Sequence, residues 1–217
     1  MQRCIISSLR WFLLAEVTLV LVLESTAFQV EYDANNWIKY EAGGVPFILL
    51  APHGGNIKPS DVVDRDAGCY DSATDTCTWS HSCGAKNDAI CGAKTVKDTN
   101  TMEITNMTAN HIEMLTGGRP HVIYNLLHRV KLDANREVTE ATFGVPSMVA
   151  AYNAFERFIA DAKASFSTNP GLLLDIHGMT HVLSDGSEWT ELGYSISKRT
   201  LNALTYKATY STIESLG

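Results

Sequence analysis

Apolar and polar positions along the chain divide it into short strands, two helices and one long polar stretch. Residues 37–40 and 46–51 predict strands, and Gly43-Gly44 between them predicts a hairpin. Residues 56–97 are rich in Gly, Ser, Thr and Asp and too long for an ordinary connection, so they predict an insertion over the rim of a domain. From Asp98 the period changes: Met102, Ile104, Met107, His111, Ile112 and Leu115 recur at helical spacing, until Gly117-Gly118 and Pro120 stop the run. Residues 121–127 predict a strand. Residues 146–166 predict a helix with Ala150, Tyr152, Phe155, Phe158, Ile159 and Ala162 on its apolar side. After the turn Asn169-Pro170-Gly171, residues 172–176 predict a strand apolar on both faces, as in the middle of a covered sheet. Strands alternating with helices imply an α/β domain with a largely parallel sheet, and there is no internal repeat.

The first residues change the compartment. Arg3 and Arg10 precede an apolar run, 11–23, interrupted by Glu16 and Thr18, and Ser25-Thr26-Ala27 follows. The run falls short of the roughly 20 residues a bilayer span needs. Together these features predict a secretory signal peptide over 1–27, with a mature chain from Phe28; an uncleaved anchor is the competing reading. Cys69, Cys77, Cys83 and Cys91 crowd the polar stretch and predict two disulfides with three possible pairings. A structural zinc site using these thiols and His81 competes, but no C-x-x-C pair supports it. Asn106-Met107-Thr108 is a glycosylation sequon consistent with secretion. A formal net charge of -7 offers no broad basic field and speaks against nucleic acid as a partner.

Three polar motifs lie at or beyond strand ends. In Pro52-His53-Gly54-Gly55 a histidine ends a strand, where open α/β sheets hold ligands, although a histidine can simply cap a turn. In Asp175-Ile176-His177-Gly178 the Asp and His side chains leave one face of an otherwise leucine-rich strand. Such a pair is costly to bury without a partner, and a metal ion would supply one, with Asp175 orienting the imidazole. Between them, Arg129 to Arg136 gathers Arg129, Lys131, Asp133, Asn135 and Arg136 after the 121–127 strand. A charged loop is usually just solvated, but its placement beside both histidines suggests a grip on an anionic substrate.

Taken in order, Pro52-His53-Gly54-Gly55, Asp133-Ala134-Asn135-Arg136 and Asp175-Ile176-His177-Gly178 resemble the P-H-x-G, D-x-N-R and D-x-H-G/S pattern of the N-formylglutamate amidohydrolase family. Glu191-Leu192-Gly193-Tyr194 also looks like a segment of its eukaryotic members, and a more distant similarity joins the family to zinc carboxypeptidases and aspartoacylase-like deacylases. The resemblance implies a three-layer phosphorylase/hydrolase-like α/β fold over 28–217 with a mostly parallel mixed sheet. It also implies zinc, or another divalent metal, held by His53, His177 and a carboxylate. In the carboxypeptidase-like relatives that acid comes three residues after the first histidine, where this chain has Asn56. Asp98 matches an acidic position of the family, with Glu103 as the substitute. Metal-activated water would then cleave the N-acyl amide of a small carboxylate-bearing substrate, bound by Arg129, Asn135 and Arg136, with Asp133 and Asp175 in support.

The family's proton-shuttling glutamate, well beyond the D-x-H-G motif, has no counterpart. Glu191 and Glu214 are the acids remaining there, neither in the expected context, and Glu191 is the stand-in. The expectation is therefore a domain incomplete at its C-terminus. Two other readings stand beside the amidohydrolase: a carboxypeptidase-like metallopeptidase, and a secreted binding protein that keeps the fold without turnover. The sequence leaves oligomeric state open.

Overall fold

Strict alternation of side chains along two buried strands organises the domain. The computed structural model describes residues 28–166 and 170–178. Its elements are β1 (Gln29–Tyr32), β2 (Ile38–Ala42), β3 (Val45–Ala51), β4 (Cys69–Asp71), β5 (Thr76–Thr78), α1 (Thr101–Thr116), β6 (Pro120–Asn125), α2 (Val138–Thr142), α3 (Pro146–Ser165) and β7 (Leu172–Asp175). Five strands form a mixed sheet in the order β1-β2-β6-β3-β7. β3 runs parallel to both β6 and β7, while β2 is antiparallel to β1 and β6. The chain is thus an α/β protein with a partly parallel sheet.

On β3, Ile48 and Leu50 point to one face and Leu49 and Ala51 to the other, as the two-residue period of a strand requires. The first pair joins Ile38, Ile123 and the α3 residues Phe155, Phe158 and Ile159; the second joins Val122, Tyr124 and Ala109 of α1. One helix therefore covers each face. Each fully buried aromatic in such a cluster stabilises the fold by about 1.5–3 kcal/mol relative to exposure.

One sequence expectation needs correction. β2 and β3 form no hairpin, because β6 lies between them. The Gly43-Gly44 link crosses the start of β6: Gly44 N–H donates to the Arg119 carbonyl (2.8 Å), and a Cβ on Gly43 would fall 2.3 Å from the Pro120 carbonyl carbon. The local hairpin is instead β1–β2, whose first strand alternates Gln29, Val30, Glu31 and Tyr32 but leaves Val30 and Tyr32 exposed. β7, expected in the middle of the sheet, is an edge strand among the described residues, with Leu173 37% exposed.

The polar insertion folds around the β4–β5 hairpin and two disulfides, Cys69–Cys83 and Cys77–Cys91. With all four sulfurs so engaged, a thiolate zinc site there is excluded; His81 instead lies 5.0 Å from the Phe143 ring. The disulfides fit a protein of an oxidising, extracellular environment. Among the described residues no helix is long and apolar enough to cross a membrane. The expected leader and Glu191, Glu214 lie outside the described residues.

Candidate metal centre

β6, β3 and β7 are parallel neighbours, so their carboxyl ends open on one edge, and all three motifs emerge there. Past Ala51, the chain turns at Pro52-His53. Gly55 then presses against β6's continuation, where a Cβ would sit 2.2 Å from the Leu126 carbonyl carbon. Ile57 N–H donates to the Leu126 carbonyl (2.9 Å) and His128 N–H to the Ile57 carbonyl (2.9 Å), fixing the exit of this loop. The glycine is thus required by chain packing rather than by room for a ligand. Asp98 N–H donates to the His53 carbonyl (3.1 Å), so the neck of the insertion is tied and its two ends meet at the site. Past β7, Ile176 N–H donates to the Leu50 carbonyl (2.9 Å) and carries His177 to the same place.

Three side chains converge. His53 Nδ1 lies 3.2 Å from His177 Nδ1 and 3.4 Å from Asp98 Oδ2, and His177 Nδ1 lies 3.1 Å from that oxygen. Four ligands at about 2.0–2.1 Å from a tetrahedral ion lie about 3.3–3.4 Å apart. The triangle therefore has the edge lengths of one face of such a tetrahedron. Among the described residues it is the cluster of His, Cys and acidic groups able to hold a metal ion. Glu103 is not in it: the residue is exposed in the first turn of α1.

The far side of each ring decides its proton. His53 Nε2 faces Asp133 Oδ1 at 2.6 Å, and His177 Nε2 faces Asp175 Oδ2 at 3.1 Å. A carboxylate can only accept, so His53 Nε2, on the far shorter contact, carries the hydrogen and its Nδ1 presents a lone pair. His177 has a carboxylate oxygen 3.1 Å from each ring nitrogen, and the tautomer that offers Nδ1 to a cation is the one with its hydrogen toward Asp175. Three acceptors then face one another, an arrangement that requires a cation or an added proton. The proton is the competitor: the hydrogen bond His177 donates to Asp175 raises its pKa despite desolvation, with the charge of Asp175 and the contact with Asp98 adding to it. Burial pushes Asp133 up, but His53 and Arg129 outweigh that and hold it well below the carboxylate range.

Around this core, Arg129 donates from Nε to Asp133 Oδ2 (2.8 Å) and from NH1 to Asp98 Oδ1 (3.4 Å). Asn135 donates its side-chain N–H to Asp175 Oδ2, and Gly178 N–H donates to Asp98 Oδ2 (3.0 Å). Arg129 and Asn135, read from the sequence as substrate contacts, are thus engaged in holding the acids of the centre. Arg136 is different: 40% exposed, it meets Glu140 at 3.3 Å and Asp133 at only 3.9 Å, on the rim.

Sequence reasoning missed two buried residues here. Asn125, the last residue of β6, donates from its amide to the Pro52 and Leu132 carbonyls and accepts from Leu127 N–H, clamping the His53 loop to the Asp133 loop. A polar residue closing an apolar strand was the available signal. Arg65, 2% exposed, lies in a run of charged residues that gave none.

A second buried histidine lies at the opposite end of the strands. His121 Nδ1 accepts from Gly43 N–H (3.2 Å) and lies 2.7 Å from the Tyr40 hydroxyl. Since the amide can only donate, the ring proton sits on Nε2 and points to Ser165 Oγ (3.0 Å), whose own hydrogen goes to the Ala162 carbonyl (2.7 Å). His121 therefore cannot accept the Ser165 proton, and the pair is not a nucleophile with its base. The sequon residue Asn106 is exposed on α1, its side-chain oxygen accepting from Arg119 (3.4 Å). No family model, curated protein or solved structure matches the chain.

Proposed function

We propose that this protein is a secreted, metal-dependent amidohydrolase of the three-layer phosphorylase/hydrolase-like fold. It cleaves the N-acyl amide of a small carboxylate-bearing substrate. The observation that carries the reading is the acceptor triangle of His53, Asp98 and His177, with both histidines backed by carboxylates. Two imidazoles and one carboxylate are the donor set of a catalytic zinc, which keeps its fourth position for water or substrate. When bound, such an ion supplies a nucleophilic water at neutral pH and polarises an amide carbonyl.

The chain's own residues do the rest. Asp133 and Asp175 keep the ring protons on Nε2 and aim both Nδ1 lone pairs inward. Arg129 neutralises Asp98 and Asp133 from behind. Asp98, Asp133, Asp175 and Glu140 face Arg65, Arg129 and Arg136, so a divalent ion leaves the centre with one net positive charge. That charge favours an anionic substrate, and the exposed guanidinium of Arg136 offers its carboxylate a two-pronged contact.

The test uses the full chain secreted from a eukaryotic host. Elemental analysis should find zinc bound, and N-formyl and N-acetyl amino acids should be hydrolysed in a chelator-sensitive way. Their methyl esters should react poorly, more so than with Arg136→Ala. Absence of metal overturns the site; metal without turnover overturns the enzyme and leaves a metal-binding protein. Preference for C-terminal peptides would replace the amidohydrolase with a carboxypeptidase-like enzyme.

A further inference from the structure

The insertion sends one wholly buried cation into the body of the domain. Arg65 donates from Nε to the Glu140 carbonyl (3.0 Å), and from NH1 to the carbonyls of Arg129 (2.6 Å) and Lys94 (3.3 Å). Its NH2 is buried, without a hydrogen-bond partner among the described residues, and lies 4.0 Å from Asp133 Oδ2. The guanidinium also lies 5.9 Å from the ring centre of Phe143, which carries Trp79 and His81 of the insertion. Burial lowers Arg65 to about 10, partly offset by Asp133 and Glu140, so it stays charged at neutral pH.

Fastening the insertion explains the three carbonyl contacts. It does not explain why the remaining nitrogen, and the buried charge, are aimed at Asp133. A buried charge is costly unless a counter-charge is near. The counter-charge here is the acid that sets the His53 tautomer and anchors Arg129. The Arg129 backbone that Arg65 holds belongs to the residue whose side chain reaches Asp98. Arg65 thus stands one residue removed from two of the three donors, with Asp133 between it and His53 and Arg129 between it and Asp98.

We infer that Arg65 is a positioning residue of the metal centre, contributed by the disulfide-bonded insertion and acting through Asp133 and Arg129 on His53 and Asp98. The inference rests on the metal-site reading above. It makes the insertion a working part of the centre instead of a decoration on its rim.

A double-mutant cycle tests this in the full chain, with Co2+ as the probe. The variants are Arg65→Met, Arg65→Lys, Asp133→Asn and Arg65→Met with Asp133→Asn. Cobalt affinity is read by chelator competition and geometry by the visible spectrum; circular dichroism reports folding. Arg65→Met should weaken cobalt binding about 10-fold or more, the lower end for loss of a residue that supports a ligand. Arg65→Lys should restore part of this, and in the Asp133→Asn background, where only the route through Arg129 remains, the Arg65 effect should be clearly smaller than in the wild type. Equal weakening in both backgrounds, or earlier melting with unchanged affinity and spectrum, would overturn the inference. If Arg65→Met fails to fold, the cycle is run with Arg65→Lys alone. If the wild type binds no metal, the metal reading fails separately. The His53 Nε2–H resonance of the metal-free protein then decides: faster solvent exchange in Arg65→Lys supports the link to Asp133, and an unchanged rate overturns it.

Discussion

His53 and His121 are both buried histidines at ends of neighbouring strands, and both are held on their two ring nitrogens. At His121 every neighbour completes a bond: two donors face Nδ1 and a hydroxyl takes the Nε2 hydrogen. At His53 one nitrogen is fixed by a carboxylate and the other faces only acceptors. The first network is closed by the protein itself; the second is closed by a cation or an added proton. Burial and polarity do not separate the two histidines. The direction of the available hydrogens does.

The sharpest attempt to break that contrast is a pair of single substitutions. His53→Ala should take the protein from one bound metal ion per chain to none by elemental analysis, while His121→Ala should leave the stoichiometry unchanged. Equal metal content in the two variants would erase the distinction. Asp133→Asn should weaken metal binding by about 10–100-fold in chelator competition, because the His53 ring loses its orienting acceptor. On the other side, His121→Ala strands Gly43 N–H and the Tyr40 hydroxyl and should cost about 1–3 kcal/mol in urea unfolding, with metal affinity intact.

The smallest expected effect is one of pH. Burial lowers His121, so between the folded and unfolded values the unfolded chain binds a proton that the native state does not. Its contribution is therefore full above the ordinary histidine value of about 6.5 and falls as pH drops through it, levelling off below the folded value. The acid-side loss of stability below about pH 6.5, followed by urea midpoint, should be shallower in His121→Gln. An unchanged profile would show that the network tolerates the proton.

Much of the architecture was readable because it is local. The apolar run ending at Ala51, the helical spacing after Asp98 and the amphipathic stretch from Pro146 are each local, and β3, α1 and α3 form there. The buried face of α1 is not the expected one: Ile104, Met107 and Leu115 are exposed, and Thr101, Thr105 and Ala109 are buried. His53, Asp98 and His177 were readable because each is polar at the edge of such a run. Pairing was not readable. Nothing in Gly43-Gly44 announces that a strand nearly 80 residues on will separate β2 from β3. Nor does an arginine disclose its partners: Arg129 was read as facing substrate and instead bridges two acids of the centre. Arg65 stands in sequence between Asp64 and Asp66, and it is the docking of the insertion on Phe143 and on the Glu140 and Arg129 carbonyls that buries it.

The hydrogen bond from Asp98 N–H to the His53 carbonyl has a consequence for redesign. A loop whose ends are already clamped can change length cheaply, since each doubling adds only about 0.6 kcal/mol of closure entropy. The segment between His53 and Asp98 is thus a graft point, where another hairpin or recognition loop can be exchanged with both its ends at the site. Any replacement must still deliver a guanidinium where Arg65 now stands.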